Sequence, residues 1–98
     1  MALEIQWTRR ASTRFDKILL YLTEHFGEEI TANFVRKVYD FLDVLSMFPN
    51  MGTLENSELN IRGFVIVKQI TIFYQVRDET IFLLNFYDNR QRPKTKRF

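Results

Sequence analysis

The feature that most constrains the fold is a strongly apolar run near the end of the chain, residues 81–86, that passes directly into polar and basic residues. A strand this hydrophobic is stable only when a sheet buries it, so the groups that follow it, residues 87–90, would be presented from a rigid platform. The chain beyond them carries no acid and four cations: Arg92, Lys94, Lys96 and Arg97. This end is either an ordinary solvated tail or, as we favour, a surface that faces phosphate groups.

The composition limits the chain to one small packed domain. Its 98 residues are 46% hydrophobic, with ten Phe, three Gly and two Pro, which is enough to fill one core and leaves little for loops. It has no cysteine and one histidine, so we expect no disulfide, no metal site and no cofactor. No apolar run approaches membrane-spanning length and no leader is evident, so a cytoplasmic location without membrane contact is the expectation.

Charge is distributed unevenly along the sequence. Residues 1–61 hold six Lys/Arg and nine Asp/Glu, whereas residues 62–98 hold eight and three, which gives −3 and +5 for the two parts. Such asymmetry either arises by chance in a short protein or indicates that the second part faces a polyanion.

The first half of the chain predicts one strand and two helices. Residues 3–7 alternate apolar and polar side chains, and a strand this short must join a larger sheet. Thr8 lies where a helix N-cap is expected, Gly27 ends the first helix, and Pro49 and Gly52 close the second. The two predicted apolar stripes are Ala11, Phe15, Ile18, Leu19, Leu22 and Phe26, and then Ile30, Phe34, Val38, Phe41, Leu42 and Leu45.

The second half predicts a loop and then strands. Residues 53–60 lack strand or helix periodicity and are predicted to form a loop. Three runs rich in β-branched and aromatic residues then predict a three-stranded antiparallel meander at 64–67, 70–76 and 80–86. The prediction is a single α+β domain over residues 1–98, with an antiparallel helix hairpin packed on one face of the sheet and a flexible basic tail from about residue 93.

Several short motifs occur at characteristic positions: Trp7, Thr8 and Ala11 at the opening, Leu45, Pro49 and Gly52 after the second helix, Arg62 at the start of the meander, residues 72–74 in its central strand and residues 81–93 at its end. Their order and spacing resemble the RelE/ParE superfamily of bacterial toxins over nearly the whole chain. The resemblance implies the toxin of a type II toxin–antitoxin module, of the kind used in plasmid stabilisation, that a cognate antitoxin neutralises.

The resemblance implies two alternative targets. Some members poison DNA gyrase, and others are endoribonucleases that cleave mRNA on the ribosome. A third alternative is a toxin-like domain that has lost activity and only binds its partner. If the chain is a ribonuclease, it would be metal-independent, and the residues that the resemblance makes candidates for catalysis are Arg62, Lys68, Tyr87 and Arg90.

The available proton-transfer groups favour the non-enzymatic alternative. RNA cleavage beside a 2′-hydroxyl needs a base, an acid and cations. The chain has no histidine near its end, so Lys68 or Tyr87 would have to transfer protons with ordinary pKa values of about 10. We therefore favour a ParE-like gyrase inhibitor that binds its target through cations: Arg62, Arg90, Arg92, Lys94 and Lys96. Arg62 has an equal alternative, which is to solvate the junction between loop and strand.

A basic side of the first helix is the candidate contact for the antitoxin. It comprises Arg9, Arg10, Arg14 and Lys17. These side chains either form a solvated helix face or bind an acidic antitoxin segment.

Overall fold

A computed structural model describes residues 2–90 and residue 98. The elements are β1 (Glu4–Trp7), α1 (Arg9–Phe26), α2 (Glu28–Met47), β2 (Thr53–Asn56), β3 (Ile61–Val67), β4 (Ile70–Arg77) and β5 (Thr80–Asp88). The strands form one sheet in the order β1-β5-β4-β3-β2, in which β1 runs parallel to β5 and the other neighbours are antiparallel. The predicted α+β fold, with two helices packed on one face of the sheet, is confirmed.

The loop predicted at residues 53–60 was wrong in its first half. Thr53–Asn56 forms β2, in which Thr53 lies opposite Gly63 and Leu54 opposite Arg62, so the meander has four strands. β2 is an edge strand held by main-chain pairing, and both Thr53 and Leu54 are exposed. Because an exposed edge strand needs no buried face, it carries no apolar alternation that the sequence could show.

The helix hairpin begins and turns at the predicted residues. Thr8 caps α1, since its Oγ1 accepts a hydrogen bond from the Ala11 main-chain N–H at 3.2 Å and donates one to the Leu83 carbonyl at 2.7 Å. Gly27 has φ +91°, a left-handed conformation that glycine adopts without strain, and its N–H donates to the carbonyls of Leu22 and Thr23. One residue therefore ends α1 and starts α2.

Replacing Thr8 with alanine is expected to lower the free energy of unfolding by about 1–2 kcal/mol, because both the cap and the bond that ties α1 to β5 are lost. Urea denaturation followed by circular dichroism measures this. Thr13→Ala, an exposed change within the same helix, is the control and should alter stability by less than about 0.5 kcal/mol. Equal stability of the two variants would contradict the capping role.

The main core lies between the helices and the sheet. Its fully or nearly buried members are Ala11, Phe15, Phe34, Val38, Phe41, Leu42, Leu45, Ile70, Ile72, Tyr74, Ile81, Leu83 and Phe86. Phe26 and Ile30, both predicted to be buried, are instead 59% and 47% exposed. They flank the turn at Gly27 and, with Val67 and Ile70, line an open cleft.

The opposite face of the sheet also buries aromatic surface. Phe73 is 1% exposed, although it points away from the helices, and its ring lies 5.9 Å from that of Tyr87 and 5.3 Å from that of Phe98. Arg10 donates a hydrogen bond of 2.6 Å to the main-chain oxygen of Phe98. Apart from Phe98 and Arg90, the predicted basic end of the chain lies outside the described residues.

Candidate partner-binding site

A groove of about 420 Å³ opens where the helix turn faces the β3–β4 turn. Its floor and walls are apolar and come from both helices and three strands: Ile18, Tyr21, Leu22, Phe26, Ile30, Phe34, Val67, Ile70 and Phe86. Its rim is polar and mainly cationic: Arg14, Lys17, Gln69, Asp88 and Arg90. We call this feature the cationic groove.

Packing of α1 beside β5 builds the groove from parts that are distant in sequence. Arg14, Lys17 and Tyr21 follow one another at helical spacing along one side of α1, whereas Arg90 comes directly after β5. The Cζ atom of Arg90 lies 6.0 Å from the centre of the Tyr21 ring. The cations from the two ends of the chain therefore share one rim.

Arg90 is paired within this rim with Asp88, two residues before it. Its Nη2 lies 2.7 Å from Asp88 Oδ2, its Nε donates to Asp88 Oδ1 at 3.0 Å, and its main-chain N–H donates to the same oxygen at 2.9 Å. The side chains are 60% and 27% exposed, so water screens the pair. The pair therefore contributes little to the stability of the fold.

The pair is intact at neutral pH. The hydrogen bond from Arg90 is the main cause that lowers the pKa of Asp88 below its ordinary value. The stabilising contact is therefore present above the ordinary pKa of the carboxyl and is lost only as the pH falls through the lowered value.

The structure places Arg62 away from the groove. Its Nη1 donates to the carbonyls of Gly52 and Asn50 at 2.8 and 3.2 Å, which fixes the turn that follows α2. Along β4, Arg62 lies opposite Tyr74, whereas Asp88 lies opposite Ile70 at the other end of that strand. The Arg62 guanidinium is thus engaged with main-chain carbonyls rather than presented beside Arg90.

Tyr74 completes the same turn. Its hydroxyl accepts from the Gly52 N–H at 2.9 Å and donates to the Pro49 carbonyl at 2.9 Å. Burial is the largest influence on the pKa of Tyr74 and raises it above its ordinary value. Arg62 and Tyr74 together hold residues 49–52 against the sheet.

Lys68 and Tyr87 lie at the same end of the sheet as Arg90, but neither lines the cationic groove. Lys68 is exposed in the β3–β4 turn, where its carbonyl accepts from the Asn89 side chain at 3.3 Å. Tyr87 lies on the sheet face opposite the helices, and its enclosed hydroxyl has no hydrogen-bond partner among the described residues. Arg92, Lys94 and Lys96 lie outside the described residues.

The predicted antitoxin-binding face of α1 is divided by the structure. Arg9, Arg10, Arg14 and Lys17 are all exposed, but only Arg14 and Lys17 line the cationic groove. Arg10 instead reaches the main-chain oxygen of Phe98.

Of the groove residues, only Arg14, Lys17 and Arg90 were identified as site residues from the sequence, and those missed include Tyr21, Phe26, Ile30 and Asp88. The sequence signal that could have identified Phe26 and Ile30 is their position on either side of Gly27, because side chains that flank a tight helix turn can project past the sheet.

Among the described residues, no helix is long and apolar enough to span a membrane.

The structure is that of a small α+β protein with an apolar, cation-rimmed cleft beside a helix hairpin. The sequence matches the family of ParE toxins of type II toxin–antitoxin systems (parDE) over residues 5–93, and the chain belongs to this family. A search of curated proteins found no match.

Solved structures share the fold at low sequence identity. A chain of the chromosomal ParDE toxin–antitoxin system of P. aeruginosa has a TM-score of 0.73 and 20% identity, over 89% of this chain and 96% of that one. A copper-bound mutant toxin of Helicobacter pylori has a TM-score of 0.58 and 19% identity, over 90% of this chain and 96% of that one. A type II toxin is therefore expected to have a cognate antitoxin as its partner.

Proposed function

We propose that this protein inhibits growth by poisoning DNA gyrase in the cytoplasm, and that its antitoxin neutralises it by binding in the cationic groove. One observation supports this proposal: Arg14, Lys17 and Arg90 line the same apolar cleft. The first two were predicted to bind the antitoxin, and Arg90 was predicted to bind the target.

The chemistry of the groove defines the partner segment that fits it. Tyr21, Phe26 and Ile30 are 42%, 59% and 47% exposed and offer an apolar surface to a helix that lays its own apolar side into the cleft. Acidic side chains on that helix would pair with Arg14, Lys17 and Arg90, and complementary charge increases both specificity and association rate.

An antitoxin bound in the groove would also cover the Arg90 side chain. A carboxylate of the antitoxin can replace Asp88 as the partner of the exposed guanidinium. With Arg90 covered, the target loses the cation that we expect it to contact. Neutralisation is then direct occlusion and requires no change of fold.

The positions of the four candidate catalytic residues support binding rather than RNA cleavage. Proton transfer needs an acid and a base within hydrogen-bond reach of the same phosphate. Arg62 holds the turn after α2, Lys68 lies in the β3–β4 turn, and Tyr87 lies on the other face of the sheet. We therefore favour gyrase poisoning over mRNA cleavage.

A gyrase supercoiling assay, run beside a translation reaction with primer extension on the mRNA, tests the target. The wild-type protein is expected to inhibit supercoiling and to leave the mRNA intact. Arg90→Ala should weaken inhibition by about tenfold or more, since a charged contact is lost while the fold is unaffected. Arg36→Ala, which changes an exposed arginine on α2, is the matched control and should inhibit like the wild type.

Other outcomes have distinct meanings. Ribosome-dependent cuts in the mRNA with gyrase unaffected would show a RelE-like ribonuclease. No effect in either assay, with antitoxin binding retained, would show a toxin-like domain that has lost activity. Equal inhibition by folded Arg90→Ala and Arg36→Ala would remove Arg90 from the target-binding surface.

A further inference from the structure

A second exposed apolar surface lies at the other end of α2. It comprises Val44, Met47, Phe48, Met51 and Leu54, each between 37% and 64% exposed, and we call it the α2–β2 surface. A shallow depression between the last turn of α2 and the following turn is lined by its first four members with Pro49 and Asn50. None of these residues belongs to the cationic groove.

The turn beneath this surface is held in one conformation. The Tyr74 hydroxyl binds the Pro49 carbonyl and the Gly52 N–H, and Arg62 binds the carbonyls of Asn50 and Gly52. Because these hydrogen bonds hold the turn against the sheet, the side chains of Phe48 and Met51 stay exposed on its outer side. The surface is therefore preorganised, which lowers the entropic cost of binding.

An open strand edge borders the surface. Within the part of the chain that the structure describes, β2 is the last strand of the sheet and pairs only with β3, so its outer main-chain groups can accept a further strand. The register shift between Leu54 and Asn56 restricts regular pairing to a short segment. An added strand would bring alternate side chains beside Leu54 and Phe48.

The acidic residues around the α2–β2 surface favour a basic partner. Residues 38–61 contain four acids and no Lys or Arg. Asp43 is exposed one helical turn before Met47, and Glu58 is exposed just beyond β2. The nearest following cation, Arg62, is engaged with carbonyls. Nucleic acid and the acidic segment expected in the groove would both be repelled here.

We propose that the α2–β2 surface binds an extended protein segment that is added as a strand at the edge of β2 and carries both apolar residues and Lys or Arg on its side toward α2. On that side, the apolar side chains contact Phe48 and Leu54 and a basic one faces Asp43. This site is separate from the cationic groove and has the opposite charge preference. The protein can therefore hold two partners of different chemistry at once.

Two short synthetic peptides test the proposal, one with the order Val-Thr-Lys-Thr-Val and the other with the order Val-Thr-Glu-Thr-Val, so that the charged side chain lies on the same side as both Val side chains. Each is titrated into the nitrogen-15-labelled protein and followed by NMR. The Lys peptide is expected to shift the amide signals of residues 47–54 and to bind at least about tenfold more tightly than the Glu peptide. Phe48→Ser and Asp43→Lys should each abolish this binding, whereas Ile30→Ser, which changes the cationic groove, should retain it.

Several results would overturn the proposal. They are equal binding of the two peptides, shifts confined to the cationic groove, no shift at millimolar peptide, or unchanged binding by folded Phe48→Ser. Sedimentation that shows a dimer dissolved by Phe48→Ser would also overturn it, because the occupant would then be a second copy of this chain. None of these results depends on whether the protein inhibits gyrase.

Discussion

Replacing Gly52 with alanine is expected to destabilise the protein by about 3 kcal/mol. A Cβ atom at this position would stand 2.7 Å from the Tyr74 hydroxyl oxygen and 2.9 Å from the Gly63 carbonyl oxygen. Tyr74 is fully buried, and Gly63 lies in a strand that is paired on both sides, so neither can move without disturbing the sheet or the core. The same displacement would break the bonds between the Tyr74 hydroxyl and residues 49–52.

Urea denaturation of a double-mutant cycle with Tyr74→Phe measures this effect. Tyr74→Phe alone should cost about 1–3 kcal/mol, because a main-chain N–H and a carbonyl lose their shared partner. Gly52→Ala should cost less in the Tyr74→Phe background than in the wild type, since the nearest obstructing atom is then absent. Asn50→Ala, an exposed change in the same turn, should cost less than about 0.5 kcal/mol. Gly52→Ala as stable as Asn50→Ala would show that the turn is not held as described.

Replacing Ile30 with aspartate is expected to reduce antitoxin affinity by on the order of 100-fold. Ile30 is 47% exposed on the wall of the cationic groove, so a carboxylate there costs the fold little. The same carboxylate would place a negative charge against the apolar side of the partner and would repel its acids. The affinity loss therefore follows from binding in the groove rather than from unfolding.

Calorimetric titration with the cognate antitoxin measures this loss. Leu20→Asp is the matched control, since Leu20 is 61% exposed on α1 but does not line the groove. It should bind like the wild type. Equal affinity of Ile30→Asp and Leu20→Asp, both folded by circular dichroism, would place the antitoxin elsewhere on the protein.

The sequence allowed the elements to be predicted where burial leaves a pattern. The Thr8 cap, the turn at Gly27 and the apolar face of β4 follow from local residue chemistry, and the structure confirms them. β2 was missed because an edge strand with two exposed residues needs no alternation. Phe26 and Ile30 were assigned to the core because periodicity shows which side of a helix is apolar, not how far the sheet extends beneath it.

The cationic groove could be predicted only in parts. Arg14, Lys17 and Arg90 were chosen from the sequence, but as members of two surfaces, because nothing local shows that α1 packs beside the end of β5. The hydrogen bonds from Arg62 to two main-chain carbonyls could not be predicted either. Every residue has a main-chain carbonyl, so the sequence does not show which ones a side chain will bind.

Growth of cells that express this protein, with and without its cognate antitoxin, decides whether neutralisation occurs in the cationic groove. The wild-type protein should arrest growth, and co-expression of the antitoxin should restore it. Ile30→Asp should still arrest growth, because Arg90 is unchanged, but the antitoxin should no longer restore it. Full rescue of cells that express Ile30→Asp, at the antitoxin level that rescues the wild type, would contradict binding of the antitoxin in this groove.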